Sequence, residues 1–238
     1  MSVSPFDELA PEYEAALDDP WRRRFAGDDA FFIRQKCRAM ARRVARDPGG
    51  TAARPVALDV GCGKGPAVAF LGNRWKTFGT DVSCEMLKAA PRGLRLAVQE
   101  PFALPFPDET FDVAFAFCVY HHVAAHEHAR HAREMLRVVR RGGRLFVFEH
   151  NPYNPVTRIV FGRAPVDRGC SLIAPSALRR TLDTAGAVDL EIAYVLFLPQ
   201  IAAERLPAFE AALSWMPVGG QYYVTGRKAA ASASSQRP

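Results

Sequence analysis

Short apolar runs alternate with amphipathic segments through the middle of the chain, from about residue 55 to residue 150. Residues 55–60 form an apolar run that ends at glycines, which is typical of a buried strand. Residues 67–71 then carry a helical pattern, and residues 125–141 carry a longer one that Gly142 and Gly143 would stop. The same reasoning predicts a helix at residues 83–90 and strands at residues 76–81, 94–99, 112–119 and 144–150.

The alternation of strands and helices predicts a doubly wound α/β fold whose sheet is mostly parallel. Downstream, a helix is predicted at residues 175–185, and residues 189–198 and 221–227 predict two closing strands, which makes a seven-stranded Rossmann-like sheet. A helical insertion near residues 201–215 separates those two strands. Such sheets bind ligands at the carboxyl ends of their strands. We therefore expect functional residues directly after the strand ends at Asp59, Asp81, Gln99, Val119 and Phe148.

The segments outside the central pattern predict additions to that sheet. Residues 1–54 predict an N-terminal cap of helices over the strand ends, and residues 55–228 the Rossmann-like domain. Residues 151–174 are rich in Pro, Asn and Gly, which predicts a long irregular segment on the substrate side, with the 201–215 insertion as a second one. Residues 229–238 predict a disordered tail.

The composition is that of a globular protein, with 49% hydrophobic and 24% charged residues, and so excludes disorder for most of the chain. No stretch approaches the ~18 to 20 uninterrupted apolar residues that a membrane helix needs. The acidic N-terminus does not read as a secretory signal, so we predict a cytoplasmic protein, monomeric or homodimeric. Five scattered cysteines without a C-x-x-C pair argue against a disulfide framework and a zinc site.

The net charge of +6 could attract nucleic acid or anionic metabolites. However, no basic tract is interleaved with aromatic residues, and Arg34, Arg38 and Arg42 recur every four residues, as on the solvated face of a helix. The arginines of residues 137–141 are expected to end the predicted helix at residues 125–141, where cations complement its dipole. The pattern favours a protein without a nucleic-acid partner.

The most informative motif is the loop at residues 58–65, Leu-Asp-Val-Gly-Cys-Gly-Lys-Gly. Glycines let the backbone turn sharply and approach a ligand closely. A dinucleotide loop needs G-x-G-x-x-G, whereas here Pro66 stands at the third-glycine position and Asp59 precedes the first glycine by two, which counts against NAD or FAD. Asp81 ends the second strand and could accept hydrogen bonds from both hydroxyls of a ribose, or else serve as a helix N-cap.

With these motifs in order, the chain resembles the class I S-adenosylmethionine-dependent methyltransferases, nearest to their small-molecule branch of ubiquinone/menaquinone-type and natural-product enzymes. The resemblance covers roughly residues 55 to 150, with a weaker echo to about residue 227. It implies S-adenosyl-L-methionine as cofactor and S-adenosyl-L-homocysteine as product. The matching stretches are residues 58–65, 80–87, 104–112, 121–123 and 137–143.

Position by position, the resemblance implies a cofactor pocket. Asp59 would lie near the amino group of the cofactor's amino-acid part and Asp81 at its ribose, while Val82 and Met86 would flank the adenine. Glu100 stands where family members usually have an aspartate that meets the adenine amino group. The other residues with an implied cofactor role are Gly61, Cys62, Gly63 and Gly65 of the loop, Pro101 and Phe102 at the adenine, Cys118 and Val119 at the methionine end, and Tyr13 as a cover.

Methyl transfer leaves the protein to position the reactants and to remove one proton from a phenol or amine. His121 and His122 follow the fourth strand, and a neutral imidazole suits a general base, so we expect at least one of them to be catalytic and favour His122. The alternative is that one of the pair only packs or caps the next helix. Glu149 and His150 end the fifth strand at the same edge, where they could orient the base or bind the acceptor, or Glu149 could pair with an arginine.

His122 and His126 are four residues apart and could share a metal, but only Glu127 offers a carboxylate in register, so we predict no metal site. The predicted enzyme methylates an oxygen, or an aromatic carbon or nitrogen, of a small aromatic or secondary metabolite by in-line displacement. An RNA methyltransferase, which the net charge supports, and a non-catalytic S-adenosylmethionine-binding protein are the alternatives. Aromatic residues that could wall the acceptor site, or else belong to the core, are Phe31, Phe32, Tyr153, Phe161, Phe197, Phe209 and Trp215.

Overall fold

A seven-stranded sheet organises the computed structural model, which describes residues 4–28, 30–47 and 54–230. The strands are β1 (Val56–Val60), β2 (Lys76–Asp81), β3 (Leu96–Val98), β4 (Phe111–Phe117), β5 (Val139–His150), β6 (Ala187–Val195) and β7 (Gln221–Lys228). They lie in the order β3-β2-β1-β4-β5-β7-β6, and β7 runs antiparallel to both of its neighbours while the other pairs are parallel. The predicted doubly wound, mostly parallel, Rossmann-like sheet is confirmed.

Helices cover both faces of this sheet and its carboxyl edge. The α-helices are α1 (Pro5–Leu9), α2 (Tyr13–Ala16), α3 (Pro20–Phe25), α4 (Ala30–Val44), α5 (Pro66–Leu71), α6 (Cys84–Lys88), α7 (His128–Val138), α8 (Pro155–Arg163), α9 (Pro175–Thr184), α10 (Gln200–Arg205) and α11 (Pro207–Ala212). Within the described ranges, none of them is long and apolar enough to cross a membrane.

The central strands are buried on both sides because each contributes side chains to two hydrophobic cores, one on each face of the sheet. Along β5, Leu145 and Val147 face one hydrophobic core, while Phe146 and Phe148 face the other. Successive side chains of a strand point to opposite faces, so a strand covered on both faces needs apolar residues at every position. This explains why β1, β4 and β5 read in the sequence as continuous apolar runs rather than as alternating patterns.

The boundary between α7 and β5 differs from the prediction. The helix ends at Val138, and Arg140 and Arg141 lie in β5, not at the end of a helix that runs to residue 141. The strand begins early because Val139 pairs with Phe111 across a register shift, and Gly143 lets the backbone approach Asp112, whose carbonyl oxygen would lie 2.7 Å from a Cβ atom there. The glycines that were expected to stop the helix therefore lie within a strand.

The segment at residues 151–174 is more ordered than predicted because it contains α8. Asn154 caps this helix, since its side-chain oxygen accepts a hydrogen bond from Thr157 N at 3.0 Å, and Pro155 occupies the first helical position. The Asn-Pro pair is thus a helix start. The predicted insertion at residues 201–215 is helical, as α10, α11 and a short 3₁₀ turn. Of the predicted tail, residues 231–238 lie outside the described residues.

A cluster of arginines around Asp47 joins the end of the N-terminal helices to the sheet. Asp47 accepts hydrogen bonds from Arg144 at 2.6 and 2.7 Å and from Arg43 at 2.7 Å, and Arg227 lies 2.7 Å from it. Burial alone would raise the pKa of Asp47, but the arginines outweigh this and hold the pKa well below its usual range. The side chain of Arg144 is only 3% exposed, so Asp47 compensates a buried charge.

We expect Asp47→Asn to lower the free energy of unfolding by about 3 kcal/mol, because it leaves the Arg144 guanidinium buried without its anionic partner. Urea unfolding followed by circular dichroism measures this loss. Asp108→Asn is the matched control, since Asp108 also pairs with an arginine, Arg137, but is 72% exposed, and we expect it to cost less than about 1 kcal/mol. Equal losses in the two variants would contradict the role given to Asp47.

Candidate active site

A cavity of about 930 Å³ opens at the carboxyl ends of β1, β2, β4 and β5. The chain leaves β1 and β4 in opposite directions along the sheet, and ligands of doubly wound folds bind at such a point. Every residue that the sequence nominated for cofactor binding lies on the wall of this cavity: Tyr13, Asp59, Gly61, Cys62, Gly63, Gly65, Asp81, Val82, Met86, Glu100, Pro101, Phe102, Cys118 and Val119. Their individual roles stay predictions.

The glycine loop reaches the cavity as bare backbone. Gly61 N donates to Thr80 O at 2.8 Å, and the φ of Gly61 is +75°. A Cβ atom on Gly61 would lie 2.6 Å from Val119 Cγ2, so no larger residue fits between β1 and the end of β4. Gly63 has a φ of +53° with open space where a Cβ would stand, which leaves room for a ligand against the main chain.

Asp81 ties the glycine loop to the start of α6. Its Oδ2 accepts a hydrogen bond from Gly63 N at 2.7 Å and its Oδ1 accepts one from Ser83 N at 2.9 Å. Burial raises the pKa of Asp81, and these backbone hydrogen bonds partly offset the rise. The helix N-cap is Ser83, not Asp81. A carboxylate has about four acceptor positions, so each oxygen can still accept a bond from a ligand hydroxyl.

Asp59 is a buried carboxylate with an unused oxygen. Only 2% of the residue is exposed, and its Oδ1 has no hydrogen-bond partner among the described residues. Burial raises the pKa of Asp59 to about 8; the charge of Lys36 lowers this value and that of Asp81 raises it. Buried polar atoms are normally paired, so this oxygen offers a hydrogen-bonding position to a ligand in the cavity.

The end of β3 contributes Gln99, for which the sequence analysis predicted no specific role. Gln99 is 7% exposed, lines the cavity and has no partner for Oε1 within the described part of the chain, whereas the neighbouring Glu100 is exposed. The buried amide is the better placed of the two to accept a hydrogen bond deep in the cavity. The strand-end rule pointed to this position, and the family pattern drew attention to Glu100 instead.

The N-terminal helices close one side of the cavity through polar links. Lys64 Nζ lies 2.7 Å from a carboxylate oxygen of Glu14, and Ser83 Oγ donates to Asp7 Oδ1 at 2.6 Å. Tyr13, next to Glu14, lines the cavity, and burial raises the pKa of its hydroxyl to about 12. The predicted cap over the strand ends is present in this form.

His121 is held between two carboxylates. Its Nδ1 lies 2.6 Å from Glu149 Oε2, and its Nε2 lies 3.2 Å from Asp167 Oδ1. Burial alone would lower the pKa of His121, but the two carboxylates raise it to about 10. A pKa in this range corresponds to a charged imidazole at neutral pH, with both nitrogens donating. The catalytic role of His121 stays a prediction. Glu149 lies behind it and is not part of the cavity wall.

His122 also has protein partners at both ring nitrogens. Its Nδ1 lies 3.2 Å from Cys170 Sγ, and its Nε2 lies 3.6 Å from Asp167 Oδ1. Burial, together with the positive charge of His121, lowers the pKa of His122 to about 4, so the ring is neutral. The Nδ1 contact with Cys170 is within hydrogen-bond distance, whereas the Nε2 contact with Asp167 is longer than a hydrogen bond.

His150 is the histidine of this group with a free nitrogen. Its Nδ1 lies 3.4 Å from the side-chain amide of Gln221, and its Nε2 has no hydrogen-bond partner among the residues that the structure describes. Burial and the charge of His121 lower the pKa of His150 to about 4, which keeps the ring neutral. Phe161 packs against the ring at 5.4 Å, and both side chains line the cavity.

His121, His150 and Asp167 offer three ligand atoms that lie within 4.8 Å of one another, a spacing that could hold a metal ion. The two carboxylates already hold a proton on His121, so a cation would first have to displace it. The sequence considered a different pair, His122 and His126, and His126 is an exposed residue outside this group. The expectation of no metal site stays a prediction.

Of the aromatic residues considered for the acceptor wall, Phe32 and Phe161 line the cavity. Phe31 is fully buried in the core, the alternative that the sequence left open, and Trp215 is 75% exposed. The insertion at residues 201–215 contributes no residue to the described cavity wall. Cavity residues that sequence reasoning did not nominate include Lys36, Asp167 and Gln221. Only Lys36 carries a sequence signal, as a lysine in a chain that otherwise prefers arginine, placed near the apolar positions of its helix.

The central part of the chain is similar to known methyltransferases. Residues 58–147 match the family described as a methyltransferase domain. The chain is 34% identical over 102 residues to the 2-methyl-6-phytyl-1,4-hydroquinone methyltransferase of Synechocystis sp., covering 40% of this chain and 31% of that protein. It is 33% identical over 92 residues to the probable tRNA methyltransferase 9B of Mus musculus, covering 38% and 20% of the two chains.

Among solved structures, the chain is similar to a SAM-dependent methyltransferase of Thermotoga maritima, described as a possible histamine N-methyltransferase. The TM-score is 0.66, with 94% of this chain and 98% of that chain covered, at 19% identity. At this identity the likeness supports the fold and not the substrate. The chain spans only 31% and 20% of the length of the two curated relatives, so the similarity does not identify its substrate.

We expect His121→Gln to remove a pH-dependent part of the stability. The pKa of His121 is raised from 6.5 to about 10 in the folded protein, so its contribution is complete below pH 6.5 and is lost as the pH rises through 10. Urea unfolding at pH 6, 8 and 10 should show a gap between wild type and variant that shrinks with pH. His126→Gln, at an exposed histidine, should leave stability unchanged. A gap of constant size would contradict the charged state of His121.

Proposed function

We propose, from the premise that residues 58–147 of this chain form a methyltransferase domain, that the protein transfers the methyl group of S-adenosylmethionine to a small organic acceptor. The predicted resemblance to S-adenosylmethionine-dependent methyltransferases is confirmed by this match and by the fold of the solved relatives. The acceptor atom proposed is an oxygen, with an aromatic carbon or nitrogen as the variant chemistry. The acceptor itself and a cytoplasmic location stay proposals.

The residues of the cavity fit this cofactor. The unpartnered Oδ1 of Asp59 suits an ammonium group, and Asp81 retains acceptor positions for a ribose diol. The open space at Gly63 admits a ligand against the backbone. When bound, S-adenosylmethionine supplies a methyl group activated by a positively charged sulfur.

The observation that carries the proposal is that one cavity contains both the cofactor-type residues and a buried imidazole cluster. Asp59 and Asp81 line it at one end, and His121, His150 and Asp167 line it beyond the end of β4. His121 follows β4, the strand beside β1, and His150 ends β5, so the cluster adjoins the glycine loop, as an acceptor site beside a methyl donor must. The burial of His121 and Asp167 favours a small acceptor over a polymer.

We propose His150, rather than the favoured His122, as the group that takes the proton of the acceptor. His150 is neutral and has a free Nε2, while both nitrogens of His122 have protein partners. A pKa of about 4 is low for a general base, but an oxygen becomes strongly acidic as it gains a methyl group, so a weak base suffices. His121 would then orient Asp167, which lines the cavity beside His150.

An RNA acceptor is the second candidate, because one curated relative is a probable tRNA methyltransferase. The structure gives little further support for it. Asn151, which begins a partial Asn-Pro-Tyr motif, is fully buried and donates from its side-chain amide to Pro217 O and Gly219 O at 3.0 and 2.7 Å. An amide occupied in this way is not available to hold a flipped base. A non-catalytic binder remains the third alternative.

The acceptor class is tested with S-adenosylmethionine labelled on its methyl group. The protein is incubated with the label and a host extract separated into small metabolites, RNA and protein. We expect label in the small-metabolite fraction, from which the acceptor can be identified by mass spectrometry. Label in RNA would promote the second candidate, and cofactor binding without label anywhere would favour the non-catalytic alternative.

For the acceptor so identified, we expect His150→Asn to lower kcat about 100-fold while the affinity for the cofactor stays within twofold. Asparagine keeps a polar group near the position of Nδ1, where Gln221 lies, and removes Nε2. His122→Asn should cost less than about tenfold. His126→Asn, at a side chain that is 80% exposed, is the control and should match wild type. A larger loss at His122 than at His150 would return the role of base to His122.

A further inference from the structure

Lys36 is a buried cation on the cavity wall. It lies in the middle of α4 and is 4% exposed. Its Nζ lies 3.7 Å from Cys118 Sγ and 4.8 Å from the centre of the Phe117 ring. Burial raises the pKa of the Cys118 thiol, so that sulfur is neutral. Over the described ranges of the chain, no carboxylate lies within 4.0 Å of the ammonium.

Asp59 is a buried carboxyl group on the wall of the same cavity as Lys36. It is 2% exposed, lines the same cavity and keeps an unpaired Oδ1. The charge of Lys36 lowers the pKa of Asp59, so the two groups influence each other although they do not form an ion pair. A buried charge without a partner is strongly unfavourable. A ligand that carries both a cation and an anion would compensate the two groups at once.

We propose that Lys36 binds the carboxylate at the amino-acid end of S-adenosylmethionine, whose ammonium the family resemblance assigns to Asp59. The inference rests on the proposed function, which supplies this ligand. An α-amino acid group carries its two charges on neighbouring atoms, and the cavity presents a buried ammonium at Lys36 and a buried carboxyl at Asp59. The raised pKa of Asp59 leaves this carboxyl largely protonated at neutral pH, and a bound ammonium would lower that pKa and so ionise it. Asp81 and the glycine loop remain for the adenosine end. Lys36 is thus a cofactor-positioning residue that comes from the N-terminal helices, outside residues 58–147.

A carboxylate on the methyl acceptor is the other anionic group that Lys36 could bind in this cavity. The charge of Lys36 lowers the pKa of His150 as well as that of Asp59, so the ammonium lies within electrostatic reach of both ends of the cavity. Three features favour the cofactor: the unpaired Asp59 oxygen, the complementary signs and their shared burial. The experiment therefore removes the carboxylate from the cofactor alone and measures binding without turnover.

Isothermal titration calorimetry with three ligands tests the assignment. S-adenosylhomocysteine carries both charges, S-adenosyl-3-thiopropylamine lacks the carboxylate, and 5′-methylthioadenosine lacks both. We expect wild type to bind the first at least ~10-fold more tightly than the second. Lys36→Met should weaken S-adenosylhomocysteine about 10- to 100-fold and change the affinity for the other two by less than about twofold.

Arg38→Met is the matched control, because Arg38 lies two residues further along α4, is half-buried and is not part of the cavity wall. It removes one positive charge and should leave all three affinities unchanged. A thermal melt of each variant checks folding. If Lys36→Met fails to fold, the wild-type ratio still decides, since equal affinity for S-adenosylhomocysteine and its decarboxylated analogue would overturn the assignment.

The remaining outcomes separate the two proposals. Equal weakening of the first two ligands by Lys36→Met would show that Lys36 does not bind the carboxylate. Unchanged cofactor affinity with a raised KM for an anionic acceptor would assign Lys36 to the acceptor and overturn the inference. If wild type binds none of the three adenosine ligands, the proposed function itself fails, whatever the variant does.

Discussion

The contact between Gly61 and Val119 is the constraint on which the rest of the site depends. The two residues follow adjacent parallel strands, and the missing side chain at Gly61 lets the ends of β1 and β4 lie side by side. That closeness puts Asp59, on β1, in the same cavity as the residues after β4. A Cβ atom at Gly61 would lie 2.6 Å from Val119 Cγ2, so the side chain of Val119, which lines the cavity, would have to move.

The polar groups of the cavity fall into two kinds, and the difference separates support from binding. His121, and Glu149 behind it, have both of their polar atoms engaged by the protein, and they connect strand ends and loops. Asp81 ties the glycine loop to α6 but keeps acceptor positions for a ligand. Asp59 and Lys36 are equally buried but lack protein partners of opposite charge among the described residues. Unsatisfied groups in a buried, preformed cavity are the ones that a ligand can complete.

The sequence predicted the sheet well because a strand buried on both faces leaves a continuous apolar run. It also predicted the edge of the sheet at which the cavity lies, because that edge is defined by the carboxyl ends of the strands and by the glycine loop. It did not predict that β5 begins at Val139, because that depends on pairing with Phe111 across the sheet. The role of Asp167 could not be predicted for a related reason. Its contact with His121 joins residues 46 positions apart in the sequence, so no local pattern indicates it.

The links between the N-terminal helices and the cavity rim have a consequence for ligand traffic. Helices α1 and α2 are only five and four residues long, and short helices have little stability of their own. Polar links from Lys64 to Glu14 and from Ser83 and Glu85 to Asp7 hold this section of the wall against the rim, and Phe6 packs on His122. Local opening of short, weakly stable segments gates product release in many enzymes. The same short helices that cover the cavity are therefore the part of its wall with the least intrinsic stability of their own.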